Sequence, residues 1–94
     1  MRPNDLHRAY HLLYRLGFTF DLPSGSFILQ QDTVIKGDIY RLKHVLPMNV
    51  LMTVNNWPFT LRLFRLECEE RWNKMVREKF SYRKEHGYER GKFG

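Results

Sequence analysis

GDIYRLKHVLP, residues 37–47, decides how the middle of this chain is built. Ile39, Leu42, Val45 and Leu46 fall three and four apart, the spacing that lines one face of a helix. Asp38 can cap such a helix and Pro47 stops it. The spacing therefore predicts a short middle helix over 38–46. The apolar run that follows, MNVLMTVNN (48–56), suits a buried strand or one further helical turn, and it is too short for periodicity to choose.

Upstream, PNDLHRAYHLLYRLG (3–17) is a clear helix over 5–16. Asn4 or Asp5 can cap it; Leu6, Ala9, Tyr10, Leu13 and Leu16 form its apolar face. Gly17 supplies the left-handed residue that ends helices. Two strand-like runs follow, Phe18 to Leu22 and Ser26 to Gln30, separated by Pro23-Ser24-Gly25. This arrangement predicts a β-hairpin whose Phe18, Phe20, Phe27 and Leu29 pack on the helices.

Downstream, Pro58 suits the first turn of a helix. Leu61, Phe64, Cys68, Trp72, Val76 and Phe80 then follow at steps of three and four, and nothing breaks the helix before Gly87. Phe59, Leu63 and Leu66 add a second apolar stripe, which predicts that the first turns are buried nearly all round. Glu67–Arg71 and Glu70–Lys74 stand in the favourable acid-first order for pairs four apart. A helix from Pro58 to Glu85 would be roughly 42 Å long, against a diameter near ~32 Å for a compact domain of this size. Its end, from Ser81 onward, is expected to project. The expected fold is thus α+β: an N-terminal helix, a β-hairpin, a short middle helix and a long projecting C-terminal helix. Residues 1–87 form a single domain and 88–94 a flexible tail.

Composition bounds the partners. The net charge of +6 favours polyanions or an acidic protein face, but it is spread along the chain rather than gathered in one basic arm. Cys68 is the only cysteine, which rules out an intrachain disulfide and suits a reducing, cytoplasmic setting. The segment MRPNDLHRAYHLL has no apolar h-region, so no secretory signal is expected. No apolar run approaches the roughly 20 residues that span a bilayer, so no membrane is expected either.

His7 and His11 have the spacing that lets two imidazoles share a metal, but no second pair frames them. They read as surface histidines; no metal and no cofactor is expected. No nucleophile triad, P-loop or dinucleotide fingerprint is present.

The segment LGFTFDLPSGSFILQ (16–30), following a helix, resembles the opening of the HicA-type mRNA-cleaving toxins. In those small basic proteins a helix leads into a hairpin through a turn carrying Gly-Ser. The resemblance covers the helix and hairpin only. In that family a catalytic histidine follows the Gly-Ser, and here Phe27 follows Ser26. An imidazole can move a proton near neutral pH and a phenyl ring cannot. The resemblance therefore implies the local fold and not the activity. A small ribonuclease drawing on His44, His86, Arg83 and Lys84 is the third and weakest reading.

Two non-enzymatic readings stand ahead of it. In the first, the chain is an interaction module that docks on a larger protein machine, one that handles nucleic acid among the candidates, and modulates it. Its size and style are those of phage and mobile-element modulators of host proteins. Trp57 of NNWPF, Val76, Phe80, Tyr82, Arg83, Lys84, Tyr88 and Arg90 are the candidate partner contacts, with a homodimer as another possible use of the same helix face. Trp57 can equally act as a hydrophobic staple at the helix entry. In the second reading the protein binds nucleic acid directly. Arg71, Lys74, Arg77, Lys79 and Lys92, joined by Arg62 and Arg65, would then meet phosphates while Tyr82 and Tyr88 stack on bases.

Overall fold

Leu13 and Phe18 show how the first helix is stopped and the first strand aimed. In a computed structural model of the chain, which describes residues 1–80, α1 runs Pro3–Arg15. Pro3 occupies its first turn, where a missing N–H costs nothing. Arg2 is the N-cap and makes no side-chain cap bond, so the expected Asn4 or Asp5 cap is replaced by a proline start. At the other end Gly17 takes φ 99°, Phe18 N donates to the Leu13 carbonyl, and Gly17 N donates to that of Tyr14. This is a Schellman closure. It brings Leu13 and Phe18, both fully buried, onto the same core.

The hairpin forms as expected and then continues. β1 (Thr19–Asp21) pairs antiparallel with β2 (Ser26–Ile35), placing Phe20 opposite Phe27. β2 pairs in turn with β3 (Asp38–Pro47), from Ser26 opposite Pro47 to Ile35 opposite Asp38. The expected helix over 38–46 is therefore a strand. The cause lies in Lys36 and Gly37, which both adopt positive φ (52° and 86°) and make the two-residue turn whose twist suits a hairpin. Once that turn forms, β3 gains a partner along its whole length. The middle helix is displaced to α2 (Met48–Leu51), which settles part of the open run 48–56.

Sheet order is β1-β2-β3. One face carries Phe27, Leu29 and Leu46 into the core. The other shows Val34, Ile39 and Val45 to solvent. Over the buried face lie α1, through Ala9 and Leu13, and, through Leu61 and Cys68, α3, which runs from Trp57 to the last described residue, Phe80; Leu51 of α2 closes one end. The centre is aromatic: Phe27 lies 5.0 Å from Phe20 and 5.5 Å from Tyr10, and Phe18 lies 5.7 Å from Phe64, between ring centroids. The domain is two layers, one sheet and one layer of helices. From Arg77 to Phe80 every α3 side chain is exposed, so the helix has left the body by that point. The expected overhang from Ser81, the end at Gly87 and the tail 88–94 lie outside the described residues. No helix among the described residues is long and apolar enough to cross a membrane.

Candidate docking surface

A two-layer domain covers only one side of its helices, and α3 shows the consequence. Its inner stripe behaves as the spacing predicts: Leu61 and Cys68 are buried, with Phe64, Trp72, Met75 and Val76 half-buried along the same line. The outer stripe does not. Phe59, Leu63 and Leu66 are 58%, 43% and 53% exposed, which corrects the expectation that the first turns are buried all round. At 3.6 residues per turn Leu63 lies nearly opposite Leu61. Among the described residues no second layer exists to cover it.

Beside this stripe the end of α1 meets α3 in a groove of about 510 Å³ lined by Arg15, Leu16, Arg62, Arg65, Leu66 and Glu69. Arg65 Nε donates to the Leu16 carbonyl at 3.0 Å, occupying one of the acceptors that α1 leaves at its C-terminus. Its Nη1 is enclosed and has no hydrogen-bond partner among the described residues. The expected pairs Glu67–Arg71 and Glu70–Lys74 do not close. Among the described residues the ion pair that forms is Arg41–Asp32, across β2 and β3 at 3.5 Å. Among the described residues the α3 cations are consequently free of intrahelical carboxylates, as is usual for solvated long side chains.

The other sequence candidates separate. Trp57 is half-buried and packs on the core, but as the first residue of α3 it follows the cap, whereas a staple residue precedes it. Val76 is half-buried and Phe80 is 47% exposed, so the apolar face continues to the last described turn. Arg71, Lys74, Arg77 and Lys79 are exposed but alternate with exposed Glu67, Glu69, Glu70 and Glu78, so they make no uniform basic track. Tyr82, Arg83, Lys84, Tyr88, Arg90, Lys92 and His86 lie outside the described residues. Missed altogether were Arg15, remote in sequence, and the outward direction of Phe59, Leu63 and Leu66. The stripe itself was legible; which side of it meets solvent depends on the layer count.

The histidines part company too. His7 and His11 are exposed, with their Nε2 atoms 3.3 Å apart and their rings nearly perpendicular. No group of three or more metal-ligating side chains forms among the described residues. His44 is only 4% exposed and meets Gln31 Oε1 at 3.1 Å through Nε2. Burial, with the charges of Arg71 and Arg65, pushes its pKa below the ordinary 6.5. Burial likewise pushes the Cys68 thiol up, away from the thiolate that reacts.

The His44 shift has a sign that can be measured. Above pH 6.5 the ring is neutral in both folded and unfolded chains and contributes no pH dependence. Below 6.5 the unfolded chain takes up the proton first, so stability falls until the folded pKa is reached. Urea unfolding at about pH 7.5 and about pH 5.5 should show a drop in the wild type that is smaller in His44→Leu. An equal drop in both would remove His44 as the source.

Phe27, which follows Gly25-Ser26, is fully buried against Phe20 and Tyr10. No protein-family model matches this chain, and comparison with curated proteins and with solved structures finds no match.

Proposed function

We propose that this protein is a non-enzymatic interaction module that docks onto a larger protein machine through the outer face of α3 and modulates it. The observation that carries the reading is the stripe of Phe59, Leu63 and Leu66. Large apolar side chains at i, i+4 and i+7 on the solvent side of a helix form the pattern that seats a partner. Phe80 and Val76 extend apolar surface along the same helix. The alternative, direct nucleic-acid binding, draws on the net charge of +6 and on exposed Arg71, Lys74, Arg77 and Lys79. The interleaved glutamates weaken it.

The test pairs affinity capture with a salt series. Wild-type protein is expected to retain a stoichiometric protein partner at physiological salt. Leu63→Glu/Leu66→Glu, both at exposed positions, should keep its fold by circular dichroism and lose that partner. Nucleic-acid binding that falls steeply with salt, with no protein retained, would favour the alternative.

A further inference from the structure

The occupant of the α3 face can be described further from the charges beside it, taking the docking reading as given. We propose that it is an acidic amphipathic helix, whose apolar side covers Phe59, Leu63 and Leu66 and whose carboxylates enter the groove at Arg15, Arg62 and Arg65. Three observations converge on this occupant. Leu66 belongs to both features, as the last residue of the stripe and a lining residue of the groove, and Arg62 of the groove flanks the stripe three residues after Phe59 and four before Leu66. Stripe and groove are therefore one continuous surface.

Its charge is also one-sided. Three guanidinium groups line the groove against the single carboxylate of Glu69. Among the described residues none of the three arginines lies within 4 Å of a carboxylate, the ion pair that forms being Arg41–Asp32. Arg65 is held at the groove by the bond from its Nε to the Leu16 carbonyl, which fixes the direction of its guanidinium. Guanidinium groups favour planar, bidentate recognition of carboxylates. A carboxylate brought to the groove by a partner supplies the missing counter-charge.

A second copy of this chain fits less well. A symmetric contact through this face would present the same surface from both sides and bring the arginine sets toward one another. The stripe runs from Phe59 to Leu66, eight residues or about two helical turns. Ridge-into-groove packing on so short a stripe suits a helix of three to four turns rather than a broad domain face.

A displayed library of random peptides of about 16 residues, four to five helical turns, selected on the full-length protein at physiological salt provides the test. The enriched peptides are expected to combine apolar residues at i, i+3 or i+4, and i+7 with glutamates or aspartates. Their affinity should fall about tenfold or more for Arg15→Glu/Arg62→Glu and also for Leu63→Glu/Leu66→Glu, with folding checked by circular dichroism. Peptides that are neutral or basic, lost with the leucine variant but indifferent to the arginine variant, overturn the acidic partner and leave the docking reading standing. Peptides indifferent to both variants, or no enrichment at all, overturn both. Concentration-dependent dimerisation abolished by Leu63→Glu/Leu66→Glu overturns the acidic partner in favour of a second copy.

Discussion

Phe27→Ala should lower the unfolding free energy by about 3–5 kcal/mol, the range for removing a buried aromatic ring. That is a large share of the roughly 5–15 kcal/mol that holds a typical domain together. Phe27 has no exposed surface and lies on the central strand, opposite Phe20 on β1 and Leu46 on β3. Its ring meets Tyr10 from α1 as well. Removing it empties the point where three strands and a helix join, and a two-layer domain has little further material to collapse into the gap. Val45→Ala is the control: Val45 sits on the same sheet but points outward and is 48% exposed, so its loss should cost under about 1 kcal/mol. Urea unfolding of both variants decides the matter. A Phe27→Ala cost below about 1.5 kcal/mol would mean the core is not organised around that ring.

How much of this was legible depends on whether the cue was local. The α1 stop was readable because one glycine at one position can take the required φ, and the structure uses it so. The first hairpin was readable because Pro23 and Gly25 punctuate two aromatic runs. β3 was misread for a physical reason. Its inward residues are Asp38, Tyr40, Leu42, His44 and Leu46, three of them polar or polar-capable, while apolar Ile39 and Val45 point outward. The alternation that marks a half-buried strand is thereby blurred, and a helical spacing emerges from Ile39, Leu42 and Val45 instead. The decisive signal was the two-residue turn at Lys36-Gly37. Only its glycine is usual for that turn, since lysine rarely holds positive φ. The outer stripe of α3 was legible as a pattern and illegible as a surface. Sequence spacing places Phe59, Leu63 and Leu66 on one side of α3, but whether a second layer covers them is a property of the whole fold.

Thr33→Pro tests that corrected strand directly, and the two readings differ in sign. The Ile35–Asp38 pair closes a two-residue turn and so exchanges both backbone hydrogen bonds; alternate pairs then do the same, which includes Thr33 with Tyr40. Proline at 33 removes a donor from the β2–β3 ladder and places a ring in a strand with little tolerance for it. The expected cost to the hairpin is about 1–3 kcal/mol, the range for a ladder partner left unsatisfied, equivalent to a loss of amide protection of roughly 5- to 150-fold. Hydrogen exchange should register it at the paired amides of residues 31–42, together with a lower melting temperature. Were 38–46 helical, residue 33 would lie in the connecting loop, where proline is neutral or adds about 0.4–1 kcal/mol by restricting the unfolded chain. Unchanged protection with a raised melting temperature would restore the middle helix and dissolve the sheet that leaves the outer face of α3 uncovered.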